Sequence, residues 1–187
     1  GDVPCSGPSE TFTITVQPSP VPTVTGQSPE ACINVPFLYQ TQEGAGFHSY
    51  EWFVEPAGSY SLSPVPGLPH QVEITWLTYG PKTIRVNYVN NFECTALPPL
   101  PVLDINVVPP PVPTIIGDLT PCSGQTSDYQ TESGPGISGW DWYVTGGTIN
   151  SLPPFTGTIS VTWGSAGPGT LRVNYTGSGG CEATVPT

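Results

Sequence analysis

The stretch Gly80-Pro81-Lys82-Thr83-Ile84-Arg85-Val86-Asn87-Tyr88 returns later in the chain as Gly167-Pro168-Gly169-Thr170-Leu171-Arg172-Val173-Asn174-Tyr175. In both, apolar Ile84/Leu171, Val86/Val173 and Tyr88/Tyr175 alternate with Arg and Asn, the period-two pattern of a strand with one buried face. Outward from this pair the echo continues. Val21-Pro22-Thr23-Val24 recurs as Val112-Pro113-Thr114-Ile115, and Cys32 with Tyr39 recurs as Cys122 with Tyr129. Tyr50-Glu51-Trp52-Phe53-Val54 recurs as Trp140-Asp141-Trp142-Tyr143-Val144, Ile74-Thr75-Trp76 as Val161-Thr162-Trp163, and Cys94 as Cys181. The sequence therefore reads as two copies of one unit, the second with a shorter internal loop.

Within the first copy, alternation places strands near 21–25, 36–42, 49–55, 71–77, 82–90 and 101–108, separated by Gly/Pro-rich turns. About seven short strands in roughly 90 residues, with a Trp in the third, is the signature of an immunoglobulin-like sandwich. The expected fold class is all-β, with sandwiches in tandem at 21–111 and 112–187. Trp52 and Trp142 are expected as central core plugs, with Trp76 and Trp163 also in the core. Residues 1–20 carry Cys5 and the alternating Thr11-Phe12-Thr13-Ile14-Thr15-Val16, which match Cys94 and the last strand of the first copy. They read as the last strand of a preceding copy plus a Pro-rich joint, whereas the second copy reaches Thr187 before a last strand of its own. Two readings stay open: a window of a longer repeat protein, or a subunit whose 11–17 strand fills the gap in another chain.

Composition supports this and excludes other classes. Of 187 residues, 25 are Pro and 22 Gly, a density that breaks helices and rules out a helical bundle. With 3 Lys+Arg against 14 Asp+Glu, the chain cannot neutralise a run of phosphates, so no nucleic acid partner is expected. No apolar stretch approaches the ~18 residues of a membrane helix, so no membrane insertion is expected. Five Trp, eight Tyr and six Phe argue against disorder. Lys82, Arg85 and Arg172 are the three trypsin-type cleavage sites, which predicts resistance to such proteases.

Cys5, Cys32, Cys94, Cys122 and Cys181 form no CxxC and have no His at metal-ligand spacing, so they read as disulfide cysteines of an oxidising compartment. Absence of Met and of a signal peptide points to a mature piece or excerpt of a longer secreted protein. Pairing Cys32 with Cys94 would join opposite ends of one sandwich, ~20 Å apart, whereas bridged Cα atoms lie ~4.4–6.8 Å apart. The expected pair is Cys32–Cys181 across copies, with Cys5, Cys94 and Cys122 left for neighbouring repeats or chains.

The order Cys-x6-Tyr, then Trp140 to Ile149 (Trp-x-Trp-x-Val-x-Gly-Gly-x-Ile), then Ile159 to Trp163 (Ile-x-Val-x-Trp), then Gly180-Cys181 resembles the PKD-like repeats of Bacteroidota. These occur in large cell-surface and secreted proteins, among them gliding-motility adhesins and type IX secretion substrates. The resemblance covers both copies. The first departs where Glu55-Pro56-Ala57-Gly58 replaces the Gly-Gly turn and Phe92-Glu93 precedes Cys94. It implies a surface, spacer or adhesive role with no catalytic residue.

No residue set in the sequence carries a reaction or a cofactor. Asp118 and Asp128 are the best calcium candidates, without a DxDxD loop. His48 and His70 are expected in loops and lack a nucleophile context. Arg85 and Arg172 are expected to pair on the sheet surface with Glu51 and Asp141. Asn174-Tyr175-Thr176 is a sequon on a strand, absent from its counterpart Asn87-Tyr88-Val89. Pro18-Ser19-Pro20-Val21-Pro22 and Pro109-Pro110-Pro111-Val112-Pro113 mark semi-rigid joints at the copy boundaries. The expected role is a secreted, non-catalytic stalk or filament segment whose partners are neighbouring repeats or identical subunits. The alternative is a carbohydrate-binding module, with surface glycans stacking on Phe53 and Tyr143.

Overall fold

A computed structural model describes residues 10–44, 49–184 and 187. The fold is an all-β, immunoglobulin-like sandwich architecture, and among the described residues it has no α-helix. The first eight strands are β1 (Thr25–Gly26), β2 (Glu30–Cys32), β3 (Pro36–Gln40), β4 (Ser49–Glu55), β5 (Tyr60–Val65), β6 (Leu68–Trp76), β7 (Gly80–Val89) and β8 (Leu103–Val108). They form two four-stranded sheets, in the orders β1-β3-β6-β5 and β2-β8-β7-β4. Setting aside β2, this is the ABED/CFG arrangement of an immunoglobulin constant-type sandwich, with β8 in the place of the last strand, G. The short β2 adds to β8 in parallel, with Cys32 opposite Val108.

Alternation decides which residues fill the space between the sheets. Val72, Ile74 and Trp76 of β6 meet Ile84 of β7 and Ile105 and Val107 of β8 in one buried cluster with Tyr39. Each such aliphatic side chain stabilises the fold by about 1.5–3 kcal/mol relative to exposure. Trp76 is fully buried and donates its Nε1–H to the Tyr39 hydroxyl at 3.1 Å. The ring pair is edge-on, with centroids 6.2 Å apart.

The remaining strands are β9 (Ile116–Gly117), β10 (Thr126–Gln130), β11 (Ser138–Thr145), β12 (Gly147–Ile149), β13 (Thr158–Trp163) and β14 (Thr170–Thr176), followed by a 3-10 turn at Ser178–Gly180. Their sheets are β12-β13-β10-β9 and β11-β14. The first repeats the ABED order. The second holds the C and F strands, and among the described residues no strand stands beside β14 where β8 stands beside β7. Tyr129, Trp142, Ile159, Val161 and Val173 make a separate core.

The structure corrects five expectations. Trp52 is half-buried at the margin of the first core, and the deeply buried tryptophan there is Trp76. In the second core the roles reverse, with Trp142 buried and Trp163 half-buried. His70 lies in β6, buried, instead of in a loop; His48 is outside the described residues. Residues 11–17 form no strand, and Phe12, Ile14 and Val16 are 80%, 83% and 87% exposed. Arg85 pairs with Glu55, at 2.6 Å, instead of Glu51, and no salt bridge joins Arg172 to Asp141 among the described residues. Glu51 and Glu55 flank Phe53, the residue opposite Arg85, so either diagonal neighbour was within reach of the guanidinium. Two strands of the first set are absent from the sequence reading: the short β2, and β5, which tolerates Pro64 because it is a sheet edge.

Candidate functional site

The most elaborated region is the seam where the loop after β14 meets the β2–β8 edge. Cys32 Sγ is bonded to Cys181 Sγ, with Cα atoms 5.1 Å apart across 149 residues of sequence. Both cysteines are buried, as is Ala31 beside them. Parallel pairing with β8 presents Cys32 there, and the Ile33 N–H donates to the Val108 carbonyl at 3.2 Å. Cys181 sits in a turn closed by the Gly177 N–H donating to its carbonyl at 2.7 Å, and its sulfur lies 3.8 Å from the Val108 oxygen. Gly179 has φ of +68°, and a Cβ there would stand 3.1 Å from the Ala31 backbone. Glycine is therefore required twice over, for the left-handed conformation and for the close approach. Thr187 adds a further tie, donating its hydroxyl to the Pro113 carbonyl at 2.6 Å.

A second device fixes the chain where it enters each set of strands. In the first, Gln42 Oε1 accepts from the Thr23 N–H at 2.9 Å and the Thr41 hydroxyl at 2.7 Å, while its Nε2 donates to the Val21 carbonyl at 2.8 Å. In the second, Glu132 takes the same place. Its carboxylate accepts from the Thr114 N–H at 3.0 Å, the Thr114 hydroxyl at 2.6 Å and the Thr131 hydroxyl at 2.7 Å. Burial pushes the Glu132 carboxyl up, but the hydrogen bonds from Thr114 and Thr131 outweigh it and hold the group at about 2, against an ordinary 4.5. Tyr175 is raised, first by burial and then by the Glu132 charge. The aromatic ring above each clamp also repeats: the Tyr50 hydroxyl donates to the Gln42 carbonyl at 3.1 Å, and the Trp140 Nε1–H to the Glu132 carbonyl at 3.0 Å. The motif was legible as Thr41-Gln42 and Thr131-Glu132, one position past the strands, but without strand register nothing linked it to Thr23 and Thr114.

The other candidates fall elsewhere. Cys94 is half-buried and Cys122 exposed, both as free thiols; Cys5 lies outside the described residues. Cys94 occupies a turn like that of Cys181, closed by Asn90 N–H to its carbonyl at 3.1 Å. Phe53 and Tyr143 both face solvent, 39% and 61% exposed, opposite Arg85 and Arg172 on the neighbouring strands. Asp118 accepts from the Thr120 N–H at 2.9 Å, Asp128 is exposed on β10, and no group of three potential ligands gathers among the described residues. Asn174 is engaged with Ala183, whose N–H it accepts at 3.2 Å, as Asn87 is with Ala96 at 3.1 Å. No helix among the described residues is long and apolar enough to cross a membrane.

Residues 108–187 match the family model described as a PKD-like domain. No curated protein matches the chain. Among solved structures, the chain is similar to the fibronectin(III)-like modules of Clostridium thermocellum CbhA, at 14% identity over 88% of this chain and 90% of that one, with a TM-score of 0.47. It is similar to the Escherichia coli adhesin FdeC at 11% identity over 88% of this chain, spanning 62% of the other, with a TM-score of 0.43. The Yersinia pseudotuberculosis adhesin InvE gives 14% identity over 89% and 58%, with a TM-score of 0.33.

Proposed function

We propose that the chain is a non-catalytic, extracellular structural or adhesive segment, a stiff stalk built of tandem PKD-like sandwiches at 21–111 and 112–187. Residues 1–20 are the joint and last strand of a preceding unit in this reading. The PKD-like match over 108–187 and the sequence resemblance support a place at the surface of, or secreted from, a bacterium of the Bacteroidota.

The observation that carries the stalk reading is the seam around Cys32–Cys181. A linker alone leaves two sandwiches free to swing, because inter-domain contacts are ordinarily small. Here the joint at 109–113 is Pro-rich and favours an extended, semi-rigid backbone. A buried covalent bond and the Gly179–Ala31 contact form a second point of attachment. Two attachments off one axis remove the bending that one permits. Small-angle X-ray scattering on the oxidised chain and on Cys181→Ser tests this. The variant is expected to show a broader distance distribution; superimposable curves would take the seam out of the account.

The exposure of Tyr143 and Phe53 at corresponding positions favours one second reading, a sheet face that stacks on sugar rings. A glycan array with the chain and Tyr143→Ala separates the two. Saturable binding lost in the variant would establish the module reading, and no binding leaves the stalk alone.

A further inference from the structure

The Cys32–Cys181 bond ties together two points 149 residues apart in sequence, with their Cα atoms 5.1 Å apart. Nearly all of the fold lies inside the loop it closes. β3 to β14 are within it, with the whole second core and with Tyr39, Trp76, Ile84 and Val107 of the first. The Pro-rich joint at 109–113 is within it too. Among the described residues, little lies ahead of it. β1 pairs with β3 through Thr25 and Gly26 alone, the Gln42 clamp holds Val21 and Thr23, and β2 runs along β8 up to Cys32 itself. Beyond it, Thr187 is tied to Val173 and Pro113.

We infer that a pull applied ahead of Cys32 and beyond Cys181 crosses from one set of strands to the other through the disulfide, and that neither core nor the Pro-rich joint carries it. A load favours unfolding only through the extra length that unfolding lets out between the points of pulling. Here the disulfide holds that length fixed. Residues 33–180 can unfold without lengthening the chain, so the load gives their unfolding no advantage. Without the bond, the same pull runs through Pro109–Pro113 and strips the strands in series, each freed residue adding ~3.3–3.6 Å. What the load meets in the bonded chain is short: it draws β1 off β3 and Thr187 off Val173. The bond thus turns two extensible sandwiches into a link that keeps its length under tension.

The same topology covers a broken backbone. Lys82, Arg85 and Arg172 are the three basic residues of the chain, and all lie between Cys32 and Cys181. A cut after any of them leaves the segments on either side of the loop joined through sulfur. Tension and tryptic attack therefore fall on different stretches of chain. That such a load arises rests on the stalk reading, whereas the path it takes is a property of the single molecule. A chain that passes the pulling test below, while its scattering curve superimposes on that of Cys181→Ser, would keep the path and sink the stiff stalk.

The test holds single oxidised chains in optical tweezers by short peptide tags at the two ends, after non-reducing peptide mapping of the same sample. Mapping is expected to find Cys32 joined to Cys181. The oxidised chain should then lengthen by at most about 130 Å, the reach of the residues outside the loop at ~3.3–3.6 Å each. Cys181→Ser should yield about 500 Å more, from the 149 residues the bond had held. Should that variant fold poorly, the unaltered chain serves as its own control. A water-soluble phosphine added to the loaded oxidised chain, itself oxidised to the phosphine oxide as the disulfide becomes two thiols, should release the same length. Trypsin should leave the oxidised tether whole and sever that of Cys181→Ser. An oxidised chain that lengthens by several hundred ångströms, one that trypsin severs, or one that maps without the Cys32–Cys181 bond would overturn the inference.

Discussion

Trp76 and Trp163 end corresponding strands, β6 and β13, of the two sets, and each donates its indole N–H to a tyrosine, at 3.1 Å and 2.9 Å. The ring pairs are nearly superimposable, with centroids 6.2 Å and 6.1 Å apart at 79° and 82°. Yet Trp76 is fully buried and Trp163 half-exposed. Two neighbours differ: the cross-strand partner, which is Tyr60 for Trp76, with ring centroids 6.3 Å apart, and Gly147 for Trp163, and the layer that lies across the sheet. In the first set β8 lays Ile105 and Val107 over that region; in the second no described strand does so. The depth of a core residue is thus set here by a neighbouring strand more than by its own segment.

The largest expected effect follows from that contrast. Ile84→Ala, in the complete core, should cost about 2–5 kcal/mol, and its counterpart Leu171→Ala less than half as much, because its cavity opens to solvent. Denaturant titration of both variants checks this, and equal costs would show that β8 contributes nothing to the difference. Next comes the seam, which links the two sets. Cys181→Ser should lower stability by about 2–4 kcal/mol in the oxidised protein. The same variant compared under reducing conditions should show almost no loss.

Proteolysis sharpens the comparison further. Lys82 and Arg85 lie on β7, which is paired on both sides, and Lys82 is buried with its ammonium donating to the Tyr79 carbonyl at 2.7 Å. Arg172 is exposed on β14, which pairs with a full strand on one side, β11, and on the other carries the Thr176–Glu182 bridge and the Val173 N–H to Thr187 carbonyl bond. Limited trypsin digestion should therefore cut after Arg172 first; initial cleavage at Lys82 or Arg85 would break the comparison. The smallest effect concerns the clamps. The folded Glu132 carboxyl titrates at about 2, below its ordinary 4.5, so its contribution is present above pH 4.5 and is lost as pH falls through 2. Gln42 holds the same place without titrating. Glu132→Gln should flatten the acid limb of the stability profile of the second set, read by Trp fluorescence, and leave the first unchanged.

Much of this was legible in the sequence. Period-two alternation in 72–76 and 84–88 gave strand faces directly, because a side chain's face depends on parity alone. The geometric conflict in Cys32–Cys94 pointed to Cys181, the cysteine that the structure places against Cys32. What the sequence concealed depends on partners. Trp52 and Trp142 read identically, but Trp142 sends its indole N–H to the Thr156 carbonyl at 2.9 Å, whereas the Trp52 N–H has no partner among the described residues. The alternation at 11–16 specifies a strand face without supplying a strand to pair with, and within one chain it stays unpaired. The glutamate that meets Arg85 was ambiguous because two of them flank the residue opposite.

The central claim is that the two sets of strands move as one body. Backbone 15N relaxation on the oxidised chain measures that motion directly. Amides of β3, β6 and β7 and those of β10, β13 and β14 should fit one elongated rotational diffusion tensor, and Cys181→Ser should split it. Two separate correlation times in the oxidised chain would contradict the account.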